Sequence, residues 1–522
     1  MNDHPIVKRL LDLPPKWHGR EIFRSTAGKL TYDELRTGML RVAGWLSGEQ
    51  GIGPGDRVAV CLPRGLVAVQ AIYGVLASGA AYVPIQFAGP PARLNAILYS
   101  VQPRLLLTTG EMAGRLAADA GPGVPCPIRC VAAEAGPRAL EPLLRSVKAS
   151  SATADARADD LGVIFFTSGS TAEPKGVMWS HRTMVAAVDW LAHCRQYKAE
   201  DRLIGHVGLH YSASMDIFYP LACGCSSFLL TDREAMFPAQ VARTIAADRT
   251  TIWLSSATMF RLLIESGELE KLDMGSLRHV ESIGEKPAIA PLRQAMAVLP
   301  QARFLNCFGA TEAFDIAHFM VPRPLPDDMA ELPIGRPLGN YRVSLRKADG
   351  TEAAAGEICE ICVKGPSVAM GYWGDPGLTA ARRIDGEVDS YRTGDLGFLG
   401  PDGQIHLVGR QDHLVKLRGH RFDLGEIEAA IKTHPDVRDA AAFAVPTPDG
   451  DSEIWVVTLV AGEHNLTAEL RLACVKRLPV FARPASIMQL QQFPLLSTGK
   501  IDRQALKAML SVYNGRGPMS PA

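Results

Sequence analysis

Two hydrophobic periodicities alternate along the first part of the chain. Between residues 30 and 85 the pattern predicts a helix, a strand at 57–62, a second helix and a strand at 81–85. The further apolar runs that have the length of buried strands are 161–166, 251–254 and 279–283. An alternation of helices with buried strands is typical of α/β proteins with a mostly parallel sheet. We therefore predict an α/β fold, built as a large N-terminal domain of α/β layers.

The pattern changes after residue 322 and again near residue 412. Short strands with glycine turns predict a β-rich subdomain that closes an N-terminal domain of residues 1–411. Residues 412–512 then combine short strands with two helices, at about 423–432 and 467–478, which predicts a small α+β C-terminal domain. We expect residues 513–522 to be a disordered tail.

Composition and charge limit the function classes. Apolar residues make up 47% of the chain and charged residues 21%, which is the balance of a globular protein. Lys+Arg and Asp+Glu number 55 each, so we expect neither nucleic acid nor an anionic membrane as a partner. No segment resembles a secretion signal or has the length of a membrane span. The ten cysteines lack framework spacing, which predicts reduced thiols and a cytoplasmic location.

The segment FFTSGSTAEPKG, residues 165–176, follows a predicted strand with hydroxyl-bearing and glycine residues and then one lysine. Successive backbone N–H groups in such a loop form a nest for anionic oxygens, and Lys175 adds a positive charge. A polyphosphate is the natural ligand. The pattern is not a Walker loop, because Lys175 is followed by Gly176 and Val177. For this stretch alone, an exposed Ser/Thr turn is the alternative interpretation.

Five separated motifs resemble those of the adenylate-forming superfamily and occur in the order that this family shows. The superfamily comprises acyl-CoA synthetases, nonribosomal-peptide adenylation domains and luciferases. The motifs are TSGSTAEPKG, NCFGATE, YRTGD, GRQDHLVKLRGHRFDLGEIE and STGKIDR. The resemblance covers nearly the whole length of the chain. It implies an enzyme that joins a carboxylic acid to the AMP part of ATP, releases pyrophosphate and moves its small C-terminal domain between half-reactions.

The same resemblance assigns roles to individual residues. Those implied to bind ATP are Thr167, Ser168, Gly169, Ser170, Thr171 and Lys175 at the β- and γ-phosphates, Gly284 and Glu285 at the adenine pocket, Asn306, Phe308 and Gly309 in the adenine-stacking segment, and Asp395 with Arg410 at the ribose. Thr311 is implied to hold the α-phosphate and Glu312 to bind Mg²⁺, so ATP and Mg²⁺ are the expected cofactors. Lys500 is implied to bridge the carboxylate and the α-phosphate as negative charge develops.

The region GLHYSASMDIFYPLACG bears on the substrate acid. Family members that activate α-amino acids carry an aspartate here, whereas this chain has Tyr211 or, with a shift of one residue, Ser212. An ammonium buried without a counter-charge is costly, so we expect acids that lack an α-amine. His210 resembles the aromatic gate of acyl-CoA and aryl-CoA synthetases. Asp216 is a candidate for an amine on a β-carbon, with a helix-start aspartate as the alternative.

The acceptor of the acyl group is suggested by the hinge motif. RFDLGEIEAAI resembles the peptide-synthetase form of this motif, which favours the phosphopantetheine thiol of a carrier protein; CoA itself is the alternative. The chain ends soon after STGKIDR, so the expected carrier is a separate protein.

Asp412 is the predicted hinge residue. A catalytically silent nucleotide-binding relative is the alternative from a different class, and a luciferase-like oxidation has no feature in its favour.

Overall fold

A computed structural model gives the fold of the chain. It describes residues 5–87, 89, 91–118, 123–131, 140–144, 153–167, 174–284, 287–411, 414–417, 420–446, 452–462, 464–478, 482–496 and 501–513. The chain divides into two compact units. The first comprises Met1–Ser344, Cys362–Thr393 and Gly403–Ile405, and the second Leu345–Ile361, Gly394–Asp402 and His406–Ala522. The sequence-based boundary at 411/412 stays a prediction.

A nine-stranded sheet forms one layer of the first unit. In spatial order its strands are Arg336–Pro337, Phe314–Met320, Arg303–Ala310, His279–Ile283, Ile252–Ser255, Arg202–Gly205, Ser226–Leu229, Glu21–Ser25 and Gly28–Thr31. The six strands from Arg303–Ala310 to Glu21–Ser25 are parallel, and the pairs at both edges are antiparallel. The carboxyl ends of the parallel strands therefore meet at one edge, where ligands bind in open α/β sheets.

A seven-stranded sheet forms another layer of the same unit. Its strands, in spatial order, are Gly371–Tyr372, Lys175–Ser180, Leu161–Thr167, Ala81–Pro84, Arg57–Cys61, Leu105–Thr108 and Ile128–Cys130. The last five are parallel, and Lys175–Ser180 is antiparallel to both of its neighbours.

A four-stranded sheet consists of Arg342–Arg346, Cys359–Lys364, Ser390–Leu399 and Ile405–Arg410. The predicted α/β class is thus confirmed.

Helices cover the sheets of the first unit. Its α-helices are Tyr32–Gly48, Leu66–Ala77, Pro91–Val101, Gly110–Ala117, Glu141–Leu144, His181–Cys194, Tyr219–Cys223, Asp232–Ala235, Pro238–Ala247, Ala257–Glu265, Ile289–Val298 and Pro376–Ala381. Every residue of Leu66–Ala77 is buried, which fits a sequence that is almost entirely apolar around the single Gln70. By contrast, Tyr32–Gly48 is amphipathic and begins at a capping box formed by Thr31 and Glu34. No described helix is long and apolar enough to cross a membrane.

The C-terminal part of the second unit has its own hydrophobic core. Its strands are Leu414–Leu417, His420–Asp423, Val437–Pro446, Ser452–Val460 and Ser486–Leu490, and its helices are Leu424–Ile431, Thr467–Arg477 and Arg503–Tyr513. The last three of these strands form a three-stranded sheet. Ile427, Val456 and Leu470 are completely buried between this sheet and the first two helices. Both helices predicted from the periodicity are present, within one residue of the expected ends.

Candidate active site

Thr311 and Glu312 lie in the tight loop that joins the strands Arg303–Ala310 and Phe314–Met320. The pairing of these strands shifts between Phe308 and Gly309, and a Cβ atom at Gly309 would lie 1.8 Å from the carbonyl oxygen of Phe314. Only glycine fits such an approach. The turn is completed by Phe314, whose φ of +57° is rare for an aromatic residue. The glycine of NCFGATE thus allows the hairpin to close and present its two polar side chains.

The backbone of this loop is held by three other segments. Trp179 Nε1 donates a 2.9 Å hydrogen bond to the carbonyl oxygen of Thr311. The backbone N–H of Ala369 donates to the carbonyl of Glu312 at 2.8 Å, and the Tyr341 hydroxyl donates to the carbonyl of Ala313. All three loop carbonyls are therefore satisfied by groups outside the hairpin. Such bonding fixes the positions from which the two side chains project.

Two side-chain contacts orient Thr311 and Glu312. The hydroxyl of Ser212 lies 3.3 Å from that of Thr311, and the Tyr372 phenol donates to Glu312 Oε1 at 2.6 Å. Burial and the charge of Glu312 raise the pKa of Tyr372, so its hydroxyl stays protonated and remains a donor. Sequence reasoning missed Tyr372, because the GYW segment has no feature that links it to NCFGATE.

The phosphate-loop motif connects two antiparallel strands. Thr167 is paired with Lys175 at the loop end of this hairpin, where the Thr167 hydroxyl lies 3.5 Å from the Lys175 carbonyl oxygen. The strand that begins with Lys175 also carries Trp179, which contacts the carbonyl of Thr311. The structure therefore joins the two motifs through one strand. The predicted phosphate ligands Ser168, Gly169, Ser170 and Thr171 lie outside the described residues.

Three of the predicted adenine-pocket residues follow or belong to neighbouring parallel strands. Gly284 follows His279–Ile283 with a φ of +87°, which favours glycine. Asn306 is buried and its side-chain amide donates to the carbonyl of Pro333 at 2.8 Å. Phe308 is buried on the same strand. Gly309, of the same set, lies in the loop described above, and Glu285 lies outside the described residues.

The second unit contains the predicted ribose pair. Arg410 Nη1 donates to Asp395 Oδ1 at 3.1 Å, and the assignment of the pair to the ribose stays a prediction. The preceding Gly394 is held through its N–H by the buried Glu360 carboxylate at 3.0 Å. Lys500 and Asp412 lie outside the described residues.

The residues next to Lys500 are anchored. Ile501 forms an antiparallel bridge with Leu495, and Asp502 accepts a hydrogen bond from the N–H of Ala505 at the start of the last helix. Arg503 Nη2 donates to Glu428 Oε1 at 2.6 Å. The STGKIDR motif is thus tied on its C-terminal side to the core of the C-terminal sheet and helices.

The predicted acid-site residues follow the strand Arg202–Gly205, at the carboxyl edge of the nine-stranded sheet. His210 and Tyr211 have ring centroids 4.0 Å apart. Burial, assisted by the charge of Arg93, lowers the pKa of His210 to about 3, so this residue is neutral at physiological pH. Ser212 begins a 3₁₀-helix, Ser212–Ile217, in which Asp216 is the residue before the last. The alternative of a helix-start aspartate for Asp216 is therefore wrong.

Asp216 belongs to a group of buried charges. It is 2% exposed and accepts a hydrogen bond from Arg64 at 2.6 Å. Nearby, Arg195 donates to Glu281 and to Asp315, and all three are nearly inaccessible to solvent. In the sequence, this group could be noticed only as an acidic residue within an otherwise apolar strand, as in HVESI and FDIAHF. The periodicity predicts such strands, but it does not show which residues pair with the acidic side chains.

Comparison with known proteins identifies the family. The profile described as AMP-binding enzyme matches residues 14–373, and that of the AMP-binding enzyme C-terminal domain matches residues 426–500. The chain belongs to the AMP-binding enzyme family. It is an AMP-forming ligase of the acyl and aminoacyl type. The resemblance to the adenylate-forming superfamily is thereby confirmed.

Individual relatives of this AMP-binding enzyme include ligases and synthases. An L-proline–[L-prolyl-carrier protein] ligase of Pseudomonas fluorescens is 30% identical over 87% of this chain and 89% of its own length. Phenyloxazoline synthase MbtB of Mycolicibacterium paratuberculosis is 33% identical over 94% of this chain, which spans only 41% of that protein. ATP-bound MatB of Rhodopseudomonas palustris is 25% identical, with a TM-score of 0.84 over 97% of this chain and 99% of that chain.

Proposed function

We propose that this enzyme activates a carboxylic acid and loads it onto the phosphopantetheine thiol of a separate carrier protein. In the first step the carboxylate attacks the α-phosphorus of ATP, forming acyl-AMP and pyrophosphate. In the second the thiol attacks the acyl carbon, and the acyl thioester, AMP and a proton are formed. The observation that carries the proposal is the similarity to a carrier-protein ligase, which extends over 87% of this chain and 89% of that relative.

The chemistry needs positioned polar groups more than covalent help from the protein. Phosphoryl-type transfer is accelerated mainly by orientation and by charge stabilisation at the reacting oxygens. We assign the Thr311 hydroxyl to an oxygen of the α-phosphate, because its loop is held at three carbonyls and its side chain faces Ser212. Lys175 supplies positive charge to the departing β- and γ-phosphates. Asp395 and Arg410 bind the ribose. Lys500 supplies the positive charge between the two reactants.

Glu312 fits a magnesium ion. It is a carboxylate on a fixed loop, and the phenol of Tyr372 occupies Oε1, which orients the group. Mg²⁺ prefers one or two carboxylates together with phosphate oxygens and water. When bound, the ion would neutralise charge on the phosphates of ATP.

We also place the enzyme in the cytoplasm, where ATP is available.

The first experiment tests acid activation. The full-length protein is incubated with MgATP and a panel of acids, and acid-dependent exchange of labelled pyrophosphate into ATP is measured, with hydroxylamine trapping of the adenylate as a second readout. Exchange with at least one acid is expected. Absence of exchange with every acid, in a protein that still binds ATP, would support the catalytically silent relative instead.

The second experiment identifies the acceptor. The preferred acid and ATP are supplied with a holo-carrier protein, with the same carrier lacking its phosphopantetheine, or with CoA. We expect the acyl mass increase on the holo-carrier and none on the unmodified control. Free CoA is the second candidate, because the fold is shared with an anthranilate CoA ligase over 98% of both chains. A higher kcat/KM for CoA than for every holo-carrier tested would contradict carrier loading.

A further inference from the structure

Met236 and Phe237 form an exposed corner between the helices Asp232–Ala235 and Pro238–Ala247. Met236 is 72% exposed and Phe237 is 55% exposed. Within the described part of the chain, Phe237 is the only phenylalanine or tryptophan whose side chain is exposed. Single apolar side chains are common on protein surfaces, whereas adjacent large ones indicate a contact surface when a further feature points to a partner.

The Met236–Phe237 corner is held in place by its backbone. The N–H groups of both residues donate to carbonyls of the preceding helix at 3.2 Å, and the Phe237 carbonyl accepts from the N–H of Gln240 at 2.9 Å. Pro238 is the first residue of the next helix, where its fixed φ suits the helical backbone. The corner is therefore an ordered turn, and covering it would cost little backbone entropy.

This corner lies at the edge of the nine-stranded sheet that carries the candidate acid site. The strands Arg202–Gly205 and Ser226–Leu229 are parallel and paired up to their last residues. The loop with His210 follows the first of these strands, and the helix Asp232–Ala235 follows the second. Both segments therefore leave the sheet at its carboxyl edge, where ligands bind in open α/β sheets.

The helix that leads to the corner lies beside the His210 loop. A Cβ atom on Gly208 would lie 2.7 Å from Cε1 of His210 and 3.6 Å from Oδ1 of Asp232, so both side chains adjoin this glycine. Met236 comes four residues after Asp232, which corresponds to about 6 Å along a helix. The corner is thus a near neighbour of the loop in which the family resemblance predicts the gate for the thiol.

A positive charge accompanies the two apolar side chains. Arg233 is exposed, and its guanidinium forms no hydrogen bond or ion pair with any residue that the structure describes. Glu234 is directed back to the start of the helix, where Oε2 accepts from the N–H and the hydroxyl of Thr231 at 2.8 and 2.9 Å. Aromatic residues, methionine and arginine are enriched at protein interfaces. This surface fits a partner that is apolar at its centre and acidic at its rim.

We propose that the Met236–Phe237 corner, together with Arg233, is the docking surface for the holo-carrier protein. The proposal rests on the proposed function, in which a separate protein must bring its phosphopantetheine thiol to the carboxyl edge of this sheet. The two apolar side chains contact an apolar patch of the carrier, and Arg233 pairs with its acidic side chains. A free thiol such as pantetheine has no protein surface and does not need the corner.

The test measures acyl transfer by the full-length enzyme to the holo-carrier that accepts the acyl group in the acceptor experiment, and in parallel to free pantetheine. We expect the double variant Met236→Ala/Phe237→Ala to raise the KM for the holo-carrier about tenfold or more, because truncation of central interface residues has large effects. Pyrophosphate exchange and transfer to pantetheine should stay within about twofold. Both side chains are exposed, so the variant should fold normally.

Two further variants separate docking from other effects. Met320→Ala is the matched control: this methionine is 44% exposed, and its pairing with Leu305 puts it near the opposite, amino edge of the parallel strands. It should leave the KM for the holo-carrier unchanged. Arg233→Glu should raise that KM, and more strongly at low than at high ionic strength, because salt screens charges on the surface.

Four outcomes would overturn the proposal. An unchanged KM for the holo-carrier in the double variant, with normal loading by the wild type, would refute docking at this corner alone. Equal losses with holo-carrier and pantetheine would show that the corner acts through the active site. A wild-type dimer that dissociates in the double variant would make a second copy of the chain the occupant. Failure of the wild type to load any holo-carrier would contradict the proposed function and the docking with it.

Discussion

The phenol of Tyr372 donates a 2.6 Å hydrogen bond to Oε1 of Glu312, a residue 60 positions earlier in the chain. Tyr372 is on the strand that pairs with Lys175–Ser180, so the bond joins the phosphate-loop hairpin to the loop that carries the proposed magnesium ligand. The carboxylate is thereby positioned by a group that is not itself a metal ligand.

Removing this phenol should weaken the metal site. We expect Tyr372→Phe to raise the Mg²⁺ concentration for half-maximal pyrophosphate exchange about tenfold or more, because a hydrogen bond to a charged group contributes about 1.5–3 kcal/mol. The KM for the acid should change little. The control is Tyr391→Phe, which removes a hydroxyl that contacts Tyr372 and leaves the bond to Glu312 intact. An unaltered Mg²⁺ titration in Tyr372→Phe would argue against a positioning role.

Asp395 is expected to bind the ribose hydroxyls. Asp395→Asn should raise the KM for ATP about tenfold or more, since charge-assisted hydrogen bonds are lost. With 2′-deoxy-ATP the same substitution should cost less, because one of the two partners is already absent. The exposed Asp402→Asn serves as the control. A penalty of the same size with both nucleotides would show that Asp395 acts only through Arg410 or the local fold.

Lys500 should act in the first half-reaction. Lys500→Ala is expected to reduce pyrophosphate exchange by at least about a hundredfold, because positive charge at the reacting oxygens is lost, and to leave thioester formation from supplied acyl-AMP nearly intact. Lys507→Ala, an exposed lysine on the helix that follows the motif, should affect neither step. Equal loss of both half-reactions would refute the assignment.

A substitution at the predicted hinge residue should impair the second half-reaction and spare the first, the reverse of Lys500→Ala. Asp412→Pro fixes φ and should block transfer to the thiol while sparing pyrophosphate exchange, since a hinge residue must change its backbone angles between the two steps. Asp412→Ala keeps that freedom and is the control. Retained transfer together with lost exchange would contradict this role.

The buried charges predict how stability depends on pH. Burial raises the pKa of Asp315 from 3.8 to about 7 despite the opposing effect of Arg195, and the nearby Glu281 adds to the increase. The folded state therefore holds a proton that the unfolded state has lost. This contribution to stability is complete below the unfolded pKa and disappears as the pH rises through about 7.

The measurement is denaturant unfolding at pH 5 and pH 8. Asp315 alone should lower the free energy of unfolding of the wild-type protein by about 2–3 kcal/mol over this range, and Asp315→Asn should remove that part of the slope. Asp201→Asn is the control. Burial would raise the pKa of Asp201, but Arg278, the Lys198 N–H and the Thr251 hydroxyl together lower it, so its contribution to stability changes only at more acidic pH. An identical slope in wild type and Asp315→Asn would show that this carboxyl titrates normally.

The sequence by itself determined the family, the α/β class and the order of the nucleotide motifs. Predicted and observed strands agree closely, as for 57–62 and the observed Arg57–Cys61, because periodicity is a local property of the chain. Thr311, Glu312 and Asp395 could be predicted as site residues because the resemblance to the family lies in short contiguous motifs.

Only the tertiary structure decided which distant side chains meet. Arg64 and Asp216 are 152 positions apart, and Arg195 contacts acids on two different strands. No local pattern encodes such pairs, because a parallel sheet brings together the ends of strands that are separated by whole helices. The orientation of Asp216 likewise depends on a 3₁₀-helix and on a glycine in the adjacent strand, so propensity alone assigned it to a helix start. The burial of these charges is a property of the packed molecule.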